Sequence, residues 1–187
     1  MVSLMQLLGP IVLAAVLVFI ASSLIHMVLK WHNSDYFKLQ NEDEVRAVIR
    51  KTSPAPGQYV IPHCTDMKEM QNPDFQQKFK DGPVGFLILR PTGLPNMGKF
   101  LGQWFVLNLV IAFIVAYLAS RTLRAGATPL QVLRVVSTIS FLAYAGGSLQ
   151  AGIWKGEPWS SVAKDIADGL VYGLVSGLAF AWLWPQT

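Results

Sequence analysis

Apolar residues in this chain fall in long blocks instead of the alternating or amphipathic spacing of a soluble domain. Four blocks approach the ~20 residues that cross a bilayer: Leu4 to Leu29, Phe100 to Leu118, Val135 to Ile153 and Ile166 to Trp184. The first contains no Asp, Glu, Lys or Arg, and its single ionisable group is His26, close to its end. Ala21-Ser22-Ser23 would suit a signal-peptide cleavage site, but no basic segment precedes the block and it overshoots the ~7 to 15 residues of a signal core. It therefore reads as a retained span. The connections 119–134 and 154–165 are short, which makes the last three spans antiparallel neighbours. The predicted fold class is an all-α membrane bundle of four transmembrane helices, with residues 1–29 forming the first and residues 100–187 the other three.

Residues 30–99 differ in composition, holding ten of the fifteen basic and eight of the eleven acidic residues. They read as a small α+β extramembrane domain. Trp31, Tyr36 and Phe37 at its start suit an interfacial belt. Asn41 with Glu44 marks a helix start, and Ser53-Pro54-Ala55-Pro56-Gly57 ends that helix. Tyr59-Val60-Ile61 predicts a short strand, Thr65 a second helical turn, and Asn72-Pro73 a helix closed by Gly82. Val84 to Leu89 predicts a second strand able to pair with the first.

Composition strengthens the membrane reading: 52% of residues are hydrophobic and 14% charged, against roughly 25% charged in soluble domains. The net charge of +4 does not point to nucleic acid, because the basic residues flank spans or mix with acids. Lipid headgroups are the better partner. Cys64 is the lone cysteine and has no intrachain disulfide partner. Arg121, Arg124 and Arg134 share the middle connection with no acid, which predicts that this connection and both termini are cytoplasmic.

The candidate chemistry centres on the last span. Asp168 lies in its first turns, and an acid at membrane depth needs a partner or a solvated cavity. Lys164 is four residues away and suits that pairing, while Ser160 or Ser161 suits the helix cap. Gly169, Gly173 and Gly177 form a ladder for close helix packing, either within the bundle or between copies of the chain. Topology brings His26, Gln103, Gln150 and Asp168 to one membrane face, which predicts a polar vestibule. Separately, His63, Cys64, Met67 and Met70 form a cluster with the soft donors that suit copper. Met is equally an ordinary core filler.

The run Ile153-Trp154-Lys155-Gly156-Glu157-Pro158-Trp159, with Lys164-Asp165, Asp168-Gly169 and Trp182-Leu183-Trp184-Pro185, resembles segments of small uncharacterised bacterial inner-membrane proteins. The resemblance covers about the last thirty-five residues and implies a bacterial inner-membrane location, without an activity. No catalytic residue follows from the sequence. The expected role is a noncatalytic accessory or assembly component that binds lipid, another membrane protein or a second copy. The alternative is a small transporter or proton-coupled channel component using Asp168, and a third is a membrane metal or redox protein centred on His63 and Cys64.

Overall fold

The computed structural model describes residues 2–187. In chain order it contains α1 (Leu8–Ser23), α2 (Glu42–Thr52), β1 (Gly57–Ile61), α3 (Pro73–Asp81), β2 (Gly85–Leu89), α4 (Met97–Thr122), α5 (Pro129–Lys155) and α6 (Trp159–Trp182). A 3-10 turn, Met5–Leu7, leads into α1, and a π-helical turn, Leu24–Leu29, extends it. One compact unit comprises Met1–Tyr36 and Asn96–Thr187, and the other Phe37–Pro95.

The first unit is a bundle in which α6 packs along α5 and α1, while α4 packs on α1 and α5. Among the described residues, three helical segments are long and apolar enough to cross a membrane: Met5–Leu29, α4 and α5. This is compatible with an integral membrane protein. The expected fourth span is corrected, because α6 does not reach the same apolarity. Lys164, Asp165 and Asp168 occupy its first turns, and Tyr172, Ser176 and three glycines dilute the remainder. Those residues form the packed face of the helix: Asp168, Gly169, Tyr172, Gly173, Ser176 and Gly177 are all buried, while Leu170, Leu174 and Leu178 are exposed.

The glycine ladder lies on α5. A Cβ at Gly169 would stand 2.7 Å from Ala145 Cβ, and one at Gly173 would stand 2.9 Å from the Ser137 carbonyl oxygen. A Cβ at Gly177 would overlap Ser137 Oγ and come within 2.9 Å of Leu133 Cδ1. The partners Leu133, Ser137, Phe141 and Ala145 also recur every four residues, so two helix stripes meet nearly backbone to backbone.

Helix ends follow local chemistry. Thr128 and Gln131 form a reciprocal capping box at α5, with Pro129 in the first turn, and Asn96 accepts from Lys99 N–H at 3.0 Å to cap α4. The expected Ser160 or Ser161 cap is corrected: α6 starts earlier, after Pro158, without a side-chain cap. Trp184 is buried, with its indole N–H donating to the Arg124 carbonyl at 3.0 Å, and Gly126 N–H donates to the Pro185 carbonyl at 2.9 Å.

In the second unit β1 and β2 pair antiparallel, with Gly57 opposite Leu89 and Ile61 opposite Gly85. Asn72 caps α3 by accepting from Asp74 N–H at 2.9 Å, and Gly82 ends it at φ 66°. Asn41 precedes α2 without a side-chain cap bond. The turn expected near Thr65 forms instead as a 3-10 turn at Glu69–Gln71.

Candidate functional site

The site begins where α1 loosens. The wider Leu24–Leu29 turn places His26 Nδ1 3.0 Å from the Ser22 carbonyl oxygen. Lys30 follows in the left-handed region at φ 54°, reversing the chain into a 3-10 turn over Trp31–Asp35. That reversal lays the His32 ring on the His26 ring, with centroids 4.7 Å apart and planes 3° from parallel.

Lys164 on α6 fastens the turn. Its ammonium donates to the Trp31 carbonyl at 2.9 Å, Ser34 Oγ at 2.7 Å and Asp35 Oδ1 at 2.5 Å. All three ammonium protons can thus be used. Asp35 Oδ2 is 2.7 Å from His32 Nδ1. The Lys164 hydrogen bond holds the Asp35 carboxyl below the usual carboxylate range, against an opposing push from burial and with further help from His32 and Ser161.

Asp168 completes the cluster from one turn further along α6. It is 5% exposed, and its Oδ2 lies 3.1 Å from His32 Nε2, 3.8 Å from His26 Nε2 and 3.4 Å from the Tyr172 hydroxyl. Its Oδ1 is buried with no hydrogen-bond partner. Donor accounting fixes the character of this meeting point. A carbonyl oxygen only accepts, so His26 carries its proton on Nδ1 and, when neutral, turns an Nε2 lone pair toward Asp168. His32 faces a carboxylate from each nitrogen and as a neutral ring can donate to only one. Asp168 Oδ2 thus accepts from the Tyr172 hydroxyl and faces both imidazole Nε2 atoms, an arrangement that suits a positive charge on a ring or on a bound cation.

Two cavities meet at His26. The larger, about 740 Å³, is lined by Ser22, Leu101, Trp104, Tyr144, Asp168 and Tyr172 among others. Its walls are mostly apolar, and Trp104, Tyr144 and Tyr172 pack edge to face with centroids 5.3–6.2 Å apart. Trp104 is held by its indole N–H donating to Ser22 Oγ at 2.8 Å, and Tyr144 by donating to Asn108 Oδ1 at 3.1 Å. The smaller cavity, about 400 Å³, is lined by His26, His32, Asp35 and Glu157 with four neighbours.

Of the predicted vestibule, the structure brings His26 and Asp168 together. Gln103 and Gln150 are exposed and line neither cavity, a correction that follows from helical phase: one residue is ~100° of rotation, and Trp104 takes the inward position beside Gln103. The expected Lys164 to Asp168 pair is also corrected, since Lys164 pairs with Asp35 and Asp168 with the histidines. His32 and Asp35 join the site without being marked by hydrophobic period. Their signal is a His and an Asp three apart immediately after the first span, residue types that an interfacial turn does not require.

The sulfur-rich cluster is arranged differently. Cys64 Sγ donates to the Asp66 carbonyl at 3.1 Å and lies 3.5 Å from Glu69 Oε2, while Met67 is 77% exposed. Burial pushes the Cys64 thiol up, and neighbouring Glu69 adds to the rise, which disfavours the thiolate that a metal or a nucleophilic role requires. Among the described residues, the one group of three His, Cys, Asp or Glu side chains close enough to share a metal is His26, His32 and Asp168.

No protein-family model, curated protein or solved structure matches the chain.

Proposed function

We propose that this chain is an integral membrane protein whose bundle holds a small amphipathic molecule in the cavity beside Asp168, as a binding or transport component. The observation that carries the reading is the cavity itself. Its volume of about 740 Å³ falls within the roughly 300–1,000 Å³ of ligand sites, and its polar groups are few beside an apolar, aromatic wall. Such a pocket suits a ligand with an apolar body and a hydrogen-bonding or cationic head directed toward Asp168 and His26. An accessory role calls for an outward docking face, whereas the glycine stripe that suited one lies on α5. In this reading α6 is the fourth member of a bacterial inner-membrane bundle, packed by one face on α5 and α1. The Arg121, Arg124 and Arg134 connection faces the cytoplasm, and the Asp168 end faces the opposite side.

Native mass spectrometry of the full chain released from nanodiscs tests the proposal. A retained small molecule, present on the native chain and lost in Ala143→Phe, which narrows the cavity from its lining, is the expected result. A native chain without any such adduct, or an adduct kept at equal occupancy in Ala143→Phe, overturns it.

A further inference from the structure

We propose that His26, His32 and Asp168 form a binding site for a divalent first-row transition metal, with Zn2+ the ion that best suits the donor set. The inference goes beyond the ligand cavity and concerns the cluster at its polar end, where a metal ion and a cationic ligand head would exclude each other. One ligand atom from each of the three residues lies within 4.8 Å of the others, and two imidazole nitrogens with one carboxylate oxygen are borderline donors that suit Zn2+, Co2+ or Fe2+. Mg2+ and Ca2+ prefer all-oxygen shells.

The surroundings are those of a built metal site. Both rings have Nδ1 engaged by an acceptor, Ser22 carbonyl oxygen at 3.0 Å and Asp35 Oδ2 at 2.7 Å. That engagement selects Nε2 as the ligating nitrogen and fixes the ring orientation, the function of the outer partners around metal-bound histidines. Lys164 in turn holds Asp35, so the support extends one residue further. Asp168 is 5% exposed and keeps a buried Oδ1 without a partner, a carboxylate oxygen with bonding capacity unspent. The cavity lined by His26, His32 and Asp35 supplies a route for the ion.

Charge and valence agree with this assignment. The His26 Nε2 lone pair and Asp168 Oδ2 face each other at 3.8 Å, beyond hydrogen-bond distance, and a shared cation would take both as ligands. Three protein ligands leave at least one coordination position for water. The two rings are stacked within 3° of parallel. Each in-plane Nε2 lone pair can reach a shared ion only when the rings turn out of that stack, so their imidazole resonances report binding directly.

The test uses the full chain in detergent, stripped with a chelator and titrated with Zn2+ by calorimetry and with Co2+ by visible absorption. The expected result is one equivalent per chain, a Co2+ ligand-field band, and shifts of the His26 and His32 imidazole resonances. His26→Gln and His32→Gln each weaken Zn2+ binding at least 10-fold, and Asp35→Asn, which removes an outer partner, weakens it ~10-fold to 100-fold. His26 has a half-exposed side chain, so His26→Gln serves as the variant least tied to folding. Absence of saturable Zn2+ binding to the native chain overturns the assignment. So does binding that His26→Gln and His32→Gln leave unchanged while His63→Ala/Cys64→Ala abolishes it.

Discussion

Lys164 Nζ stands 2.5 Å from Asp35 Oδ1, joining α6 to the turn that carries His32. The two side chains are only 21% and 10% exposed, which distinguishes the pair from solvent-screened surface ion pairs. Removing one partner leaves a charge in a partly closed setting, whereas removing both leaves none. Lys164→Met and Asp35→Asn should each lower the thermal midpoint of the detergent-solubilised chain, and the double variant should fall well short of their sum. Strict additivity across that double-mutant cycle would show that the pair does not hold the turn.

The contact between α5 and α6 makes an opposite-sign prediction at two kinds of glycine. Gly173→Ala gains ~1 kcal/mol of helix propensity, but its Cβ meets the Ser137 carbonyl oxygen at 2.9 Å and Phe141 N at 3.2 Å. Those are backbone atoms, so the helices must separate, and overpacking of this kind costs about 1–3 kcal/mol. Gly147→Ala meets nothing within 4 Å and keeps the propensity gain. Thermal unfolding should therefore show Gly173→Ala destabilised and Gly147→Ala unchanged or stabilised by up to ~1 kcal/mol. A Gly173→Ala chain as stable as the native one would remove the close packing from the account.

Cys64 offers a pH test outside the bundle. Burial and Glu69 raise the thiol, so the reactive thiolate forms at higher pH than for an ordinary cysteine near 8.5. Iodoacetamide labelling of the full chain should rise with a midpoint above that of free cysteine. Glu69→Gln should move the midpoint down by removing the adjacent negative charge. A native midpoint at or below that of the free amino acid would contradict the assigned environment.

What the sequence makes legible is local. The apolar blocks are visible through length alone, α3 through Pro73 and Gly82 at its two ends, and the α6 contact stripe through glycines four apart. The cluster is less legible because it depends on a chain reversal. The π-helical turn and left-handed Lys30 set the direction of residues 31–35, and neither is encoded by hydrophobic period. Lys164 and Asp168 satisfy the four-residue pairing rule on one helix, yet tertiary partners on the turn win both groups. Gln103 differs from Trp104 by a single helical step, which side-of-membrane reasoning does not resolve.

The most direct measurement of the central claim is photo-crosslinking of the nanodisc-embedded chain with an alkylamine bearing an aliphatic diazirine, followed by peptide mapping. The cavity reading predicts adducts enriched on Trp104, Tyr144 and Tyr172 over outward-facing Leu142 and Leu149, with that enrichment lost in Ala143→Phe. Labelling spread over Leu142 and Leu149, with none favouring the three aromatic residues, would contradict it.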